Sequence, residues 1–349
     1  MLKKLLIIIF GVIVPLVMIL AVFVGYSYIF DNNVNLESDE VFIIYVDENE
    51  TPIDIFSKLV ESELLKNEGS FKMVAQQKKW FTAKTGRYSV KSGMSNNDLV
   101  NMFRAGLQDP VQLTLNQIES VAEFAGSVGQ QMMVDSFEIF QLFTDREFLT
   151  SNNLNYATIR SIILPNTYEM YWNATGLSIR TRMMQEFANY WNDERLESAK
   201  RQNLSPLEVS ILASIVEKET AKFDEMPVVA GLYINRLKKG MKLQSDPTVI
   251  YAKRLKEGMD IEVKRVLYAD LEIDSPYNTY KYAGLPPAPI TIPSLQAINA
   301  VLNPQTHKYI FMCADPDRPG YHSFAANSKQ HGINKQKYVK WLNEQGIRR

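Results

Sequence analysis

The sequence predicts an α+β protein in three parts: a single N-terminal transmembrane helix, a small α+β module, and a larger mixed α+β domain. Three observations carry this. Residues 5–26 are almost continuously apolar and uncharged, broken only by Pro15. Residues 41–106 hold short strand and helix patterns, with capping residues at two of the helix starts. Beyond residue 109, amphipathic helices alternate with short strands and with loops dense in proline and tyrosine. The expected boundaries are 1–30 for a cytoplasmic tip and membrane helix, 31–40 for a polar tether, 41–108 for the module and 109–349 for the larger domain.

Composition narrows the functional classes. A chain of 349 residues with 46% hydrophobic content is long enough for two cores. A net charge of −1 argues against a nucleic-acid partner, because phosphate binding needs a basic surface. One cysteine, Cys313, excludes an intramolecular disulfide and a multi-cysteine zinc site. His307, His322 and His331 match no zinc spacing and are read as structural, so no metal is expected. There is no phosphate loop, dinucleotide glycine motif or Gly-x-Ser-x-Gly elbow, so neither a cofactor nor acyl transfer is expected.

Lys3 and Lys4 precede the apolar run, which keeps the N-terminus in the cytoplasm and carries the remainder across the inner membrane. Tyr26, Tyr28 and Phe30 form an aromatic interface belt. The alternative is a removed signal peptide, which leaves the working part outside the cytoplasm all the same. Val41–Val46 is a strand. Thr51 and Pro52 open a helix with Ile55, Phe56, Leu59 and Val60 on its apolar face. A second helix covers residues 68–79 and a second strand 86–90. Ser95 and Asp98 start a third helix that stops at Gly106. This order resembles a LysM-like glycan-binding module; a spacer that binds nothing has the same pattern.

In the larger domain, residues 111–115 alternate as a strand and 177–200 form one amphipathic helix. The stretch the domain is organised around starts at Ser205. Ser205, Pro206 and Glu208 make a capping box, and Leu207, Ile211, Leu212, Ile215 and Val216 follow at helical spacing. Another face carries Ser210, Ala213, Ser214 and Glu217, small enough to admit a ligand beside one carboxylate. Glu219 lies about 200° from Glu217 around the helix and is turned elsewhere. A helix at 225–239 ends at Gly240. Residues 241–248 and 274–280 are loops, and the proline-dense segment 284–293 is neither helix nor central strand. A helix from Ser294, strands at 308–314 and 320–324, and a helix at 328–345 close the chain.

The candidate acids are Glu217, Glu219 and Asp246. Only Glu217 stands where neighbours desolvate it, which raises a carboxyl pKa and suits a general acid. Ala213-Ser-Ile-Val-Glu-Lys-Glu-Thr220, Asn235-Arg-Leu237, Gly240-Met-Lys-Leu-Gln-Ser-Asp-Pro-Thr-Val-Ile-Tyr251, Ser275-Pro-Tyr-Asn-Thr-Tyr280 and Gly284-Leu-Pro-Pro-Ala-Pro-Ile290 together resemble the blocks of the YceG-like family of endolytic murein transglycosylases. The resemblance implies a membrane-anchored lytic transglycosylase that cleaves the β-1,4 bond between N-acetylmuramic acid and N-acetylglucosamine in peptidoglycan. It leaves a 1,6-anhydro end and terminates nascent strands. The muramyl C6 hydroxyl attacks in place of water, so one carboxyl suffices. The resemblance puts the catalytic carboxyl on Glu217. Gln244, Asp246, Tyr277, Asn278 and Thr279 match polar family positions and are read as substrate-binding, with Glu219 in support behind Glu217. Partners implied are peptidoglycan strands, the cytoplasmic membrane and peptidoglycan synthases. The blocks depart from the family pattern at Leu164-Pro-Asn-Thr167 and at Lys329-Gln-His331. Two other readings stay open: a hydrolase of the same bond, with water delivered by Asp246 or Glu219, and a non-catalytic membrane-tethered scaffold.

Overall fold

The computed structural model describes residues 9–263 and 265–346. Lys3, Lys4 and the start of the apolar run lie outside the described residues. A π-helical turn at Ile9–Ile13 runs into α1, Val14–Phe30, with Pro15 in the first turn where its missing N–H costs nothing. Phe10–Phe30 is the one helix among the described residues long and apolar enough to cross a membrane. Its 21 residues span about 30 Å at 1.5 Å per residue, the thickness of a bilayer's hydrocarbon core. Length and composition of this kind serve an anchor and a signal sequence alike.

The fold is mixed α+β and divides into two units, the first comprising Met1–Leu113, Gln131–Met133 and Tyr168–Ala174. In this unit β1, Val41–Val46, pairs antiparallel with β2, Gly86–Lys91. Three helices cover the pair: α2 at Pro52–Glu61, α3 at Glu68–Gln77 and α4 at Asn96–Ala105. Capping boxes at Thr51/Asp54 and Ser95/Asp98 start α2 and α4, and Gly106 ends α4 at φ 74°, a left-handed conformation that favours glycine. The core joins Ile44, Val46, Tyr88 and Val90 of the strands to Ile55, Leu59, Phe71, Leu99 and Phe103 of the helices. Trp80 stacks on Phe103 at 5.8 Å, and Tyr88 meets Phe103 edge-on at 5.0 Å.

Residues 31–40, read from their polarity as a tether, are built into this unit. Val34 is fully buried, and Asn32 and Val34 bridge to Ser95 and Leu65. Buried Asn96 donates to the Tyr28 carbonyl at 2.8 Å and so joins the end of α1 to α4. Polarity gave the wrong reading because the asparagines here satisfy backbone groups rather than water: Asn33 Nδ2 donates to the Asn67 carbonyl at 3.0 Å. The chain also returns to this unit after residue 108. Asn173 donates to the Thr85 carbonyl at 2.9 Å, and Trp172 packs 4.8 Å from Tyr45.

The second unit comprises Thr114–Gln130, Val134–Thr167 and Thr175–Arg349. Strand β3, Pro110–Thr114, pairs with β4, Thr167–Tyr171; all of this pair except Thr114 and Thr167 belongs to the first unit. Between them lie α5, Val121–Gln131, α6, Ser136–Thr144, and α7, Arg146–Ser151. The single helix expected at 177–200 is two: α8, Gly176–Tyr190, and α9, Asp193–Arg201. Asn192 breaks them, its side chain accepting from the Arg195 N–H at 3.0 Å as a new N-cap. Next come α10, Pro206–Glu219, and α11, Met226–Lys238. Helix α12, Asp246–Glu257, begins inside the segment expected to be a loop. Pro247 falls in its first turn, where it is tolerated, so the proline that argued for a loop starts a helix instead. Helix α13, Leu295–Leu302, strands β5, Phe311–Ala314, and β6, His322–Ala325, and α14, Ser328–Glu344, complete the unit. Strands β5 and β6 pair antiparallel, with Ala314 opposite His322.

Helix α10 is the axis of this unit. Every residue from Val209 to Val216 is buried, against α11, α13 and the proline-dense segment, whose Ala288 and Ile290 join the same core. The small-residue face expected to admit a ligand is part of this packing. Ser210, Ala213 and Ser214 are fully buried, and Ser214 Oγ accepts from the Ile290 N–H at 3.0 Å. Small side chains here let the backbone of the proline-dense segment approach the helix.

In the first unit, Phe103→Ala is expected to cost about 3–5 kcal/mol, as for other fully buried aromatic truncations. Urea unfolding followed by circular dichroism checks this; a loss under about 1 kcal/mol, typical of surface changes, contradicts the assignment of the core.

Candidate functional site

The site is built at the C-terminal end of α10. Burial along the helix leaves its last turn to emerge at a cavity of about 190 Å3. Glu219, the last residue of α10, lines that cavity. Glu217 does not: its carboxylate accepts from the Ser294 backbone N–H at 3.3 Å and from Ser294 Oγ, whose oxygen in turn caps α13 by accepting from Ala297 N. The position two residues further on is thus the one that faces the cavity, and Glu217 ties α10 to the start of α13.

Glu219 Oε1 accepts two hydrogen bonds, from Tyr233 Oη of α11 at 2.5 Å and from Ser245 Oγ at 2.5 Å. Oε2 has no bond to the protein among the described residues and is left to the cavity. Burial raises the carboxyl above the usual range; the bonds from Ser245 and Tyr233 and the charge of His322 pull it back in part, while Asp246 adds to the rise, and the net direction is upward. The C-terminal end of a helix also disfavours an added negative charge. Tyr233 is itself pushed well above its ordinary value by burial and by the carboxylate beside it, so it stays a donor.

Two loops bring in the other walls. Gln244 and Asp246 line the cavity from the start of α12, and Tyr280 lines it from the turn after residue 274. Tyr280 Oη donates to Asp246 Oδ1 at 2.6 Å, and burial, then Asp246, raises the phenol. Of the residues expected to bind substrate, Gln244 and Asp246 are therefore at the cavity and Tyr277, Asn278 and Thr279 are behind it. Asn278, fully buried, donates to the carbonyls of Leu271 and Ile273 at 2.8 and 2.9 Å. The Thr279 carbonyl accepts from Gln244 N at 3.1 Å, and Thr279 Oγ1 accepts from Ser245 N at 3.0 Å. Tyr277 packs edge-on against Tyr251, ring centroids 4.8 Å apart. Thr279 thus holds the backbone at Gln244, which has a left-handed φ of 49°, and at Ser245.

Arg236 of α11 also lines the cavity, but its guanidinium is committed to backbone: Nε donates to the Ile310 carbonyl at 2.7 Å and Nη1 to the Leu243 carbonyl at 2.5 Å. His322 of β6 and Cys313 of β5 close the last side. Glu225, 4% exposed, accepts from His322 N at 2.7 Å and pairs with its Nδ1 at 2.9 Å. Sequence reasoning missed Tyr233, Ser245, Tyr280 and His322. Ser245 and Tyr280 sit inside the blocks quoted for the family resemblance, while Tyr233 reads as a core aromatic on an apolar helix. A larger cavity of about 460 Å3 beside Leu204, Ile211, Leu237 and Pro286 is mostly apolar, and its carboxylate, Glu208, is engaged in capping α10.

Residues 44–337 match the model of the YceG-like family. The chain is 27% identical to the endolytic murein transglycosylase of Streptococcus pneumoniae serotype 2 (strain D39 / NCTC 7466), over 90% of this chain and 62% of that protein. It therefore spans under two thirds of the length of the streptococcal relative. It is 26% identical to the endolytic murein transglycosylase of Bacillus subtilis (strain 168), over 83% of this chain and 82% of that one. Among solved structures it is similar to a yceG-like protein, lmo1499, of Listeria monocytogenes, with a TM-score of 0.56 and 24% identity over 84% of this chain and 98% of that one; that likeness concerns the fold. With the family model covering most of the chain, from β1 into α14, the protein belongs to the YceG-like family.

Proposed function

We propose that this protein is an endolytic lytic transglycosylase of peptidoglycan and that Glu219, rather than Glu217, is its acid and base. Its relatives' names support the reaction class. The observation that carries the residue assignment is the Glu219 carboxyl in the cavity, with Oε1 held by two donors and Oε2 unbonded to protein among the described residues. A carboxyl raised by burial keeps its proton at a pH where ordinary carboxylates have lost theirs. With Oε1 occupied as an acceptor, the proton resides on Oε2.

The reaction then needs one group used twice. Oε2–H protonates the glycosidic oxygen as its bond to the muramyl anomeric carbon breaks, and the N-acetylglucosamine O4 departs as a hydroxyl. The muramyl C6 oxygen bonds to the anomeric carbon and gives its proton to Oε2, so Glu219 ends as it began and the product carries a 1,6-anhydro ring. Asp246, with one oxygen occupied by Tyr280, supplies an acceptor for sugar hydroxyls, and Gln244 supplies both a donor and an acceptor. A water-using hydrolase needs a second carboxylate as base or nucleophile, and Asp246 is the one at hand; it would yield a reducing end.

The same reading gives the first unit a glycan-holding, LysM-like role, supported by its order of strand, helix, helix, strand and helix. It makes Phe10–Phe30 a single-pass anchor with the C-terminal region outside the cytoplasm. Action on nascent strands at that membrane would bring the enzyme beside peptidoglycan synthases.

Glu219→Gln keeps shape and bonding but removes the transferable proton. Release of anhydro-muropeptides from purified peptidoglycan, read by mass spectrometry, is expected to fall about 10²–10⁴-fold, while Glu217→Gln falls far less. Equal retention of activity by Glu219→Gln, or a reducing product end, rejects the assignment. Deleting residues 41–106 is expected to weaken retention on sacculi; unchanged retention makes the unit a spacer. A periplasm-dependent reporter fused to the C-terminus is expected to be active, and activity of a cytoplasm-dependent one reverses the topology.

A further inference from the structure

The proton transfers described above leave one carboxyl–imidazole pair at the cavity without a task. Glu225 is buried, and both its oxygens are bound to one residue: Oε1 accepts from His322 N at 2.7 Å and Oε2 pairs with His322 Nδ1 at 2.9 Å. A carboxylate can only accept, so Nδ1 carries a proton. A buried carboxylate also needs a countercharge, and among the described residues His322 is the partner that supplies one. This pairing favours the imidazolium form, with Nε2, the far side of the ring, directed away from Glu225. Strand pairing places His322 opposite Ala314, and both line the cavity that holds Glu219.

We propose that His322, kept protonated by Glu225, is a positioning residue for Glu219: its charge stabilises the carboxylate that Glu219 becomes between its two proton transfers. This rests on the reading of Glu219 as acid and base. The ionised state of Glu219 is the difficult one, because it is half-buried and desolvated, sits at the negative end of α10 and shares the cavity with Asp246. Tyr233 and Ser245 offer dipoles but no charge. Arg236, from α11, turns Nε and Nη1 to the carbonyls of Ile310 and Leu243 but keeps its charge, which also couples to Glu219. Tyr280 is occupied by Asp246, Cys313 is a thiol whose ionisation burial opposes, and Asp224 near the pair accepts from Tyr321. His322 is the other cation at the cavity, and its charge acts directly on the Glu219 carboxyl. Burial alone would lower its pKa, but the bond and charge of Glu225, with Glu219, raise it overall.

The sign follows. Removing the cation destabilises ionised Glu219, so its pKa rises, and the alkaline limb of the activity profile moves up as well, even while the rate falls. In the full chain in detergent, the Glu219 carboxyl band is isolated by infrared difference against Glu219→Gln and titrated. His322→Gln is expected to move that titration upward by about one pH unit, the ordinary size of a neighbouring-charge effect. Glu225→Gln is expected to move it the same way, because the imidazole loses its reason to stay charged. Unchanged titrations in both variants, or a downward shift, overturn the proposal whatever happens to activity. A shifted titration with an unshifted activity limb upholds the charge coupling and removes Glu219 from the acid role instead. The unmodified protein gives an independent arm: with three histidines in the chain, a nitrogen-15 titration resolves His322, and a neutral ring at pH 6 overturns the proposal.

Discussion

A carboxyl at the end of a helix buried along its length must find donors, a countercharge or a proton. The second unit is arranged around how Glu219 meets that constraint. Two donors reach one oxygen, from α11 and from the residue before α12, and the other oxygen is left open. Each donor depends on further packing. Tyr233 is fixed by burial in the core between α10, α11 and α13, and Ser245 by Thr279, which is held by Thr248 and by the turn that Asn278 builds. The polar residues behind the cavity thus act at one remove: they decide where a hydroxyl points, and that decides which carboxyl oxygen is free to carry a proton.

Most of the element order was legible because its signals are local. Capping boxes at Thr51, Ser95 and Ser205, Pro206 in a first turn and Gly106 at a helix end depend only on a few neighbouring residues. The misreadings come where tertiary context reverses a local signal. Asn192 inside an amphipathic stretch becomes a cap, and Pro247 in a supposed loop becomes a helix start. The polar run after Phe30 becomes a docked segment because its asparagines meet backbone groups of a neighbouring turn.

The choice between Glu217 and Glu219 shows the same limit more sharply. Periodicity separates the faces of a helix but does not say what covers each one. Helix α10 has little contrast to read, since it is buried all round from Val209 to Val216. Its small face looked open, yet small residues serve equally to let another backbone close in, and here the proline-dense segment does so, with Ile290 N bonded to Ser214. The family blocks narrowed the acid to a four-residue run. The proposal of Glu219 within that run rests on the positions of Ser294 on one side and of Tyr233 and Ser245 on the other, residues separated from it by up to 77 positions.

Placing the proposed acid, Glu219, at a helix end rather than on a loop has an energetic logic. A loop acid is solvated, and its pKa stays low. An acid at the end of a buried helix is rigid, desolvated and close to the helix's negative end, three conditions that all favour the protonated form. The same conditions make the ionised form costly, and a group that must hold both states in one reaction cycle needs the cost of each kept small. Neutral donors on Oε1 serve both states, because a carboxylic acid and a carboxylate each accept there. A cation across the cavity favours only the ionised state, and a carboxylate such as Asp246 only the neutral one. With His322 protonated, as proposed, the site carries one of each, so that neither state of Glu219 is favoured by both charges.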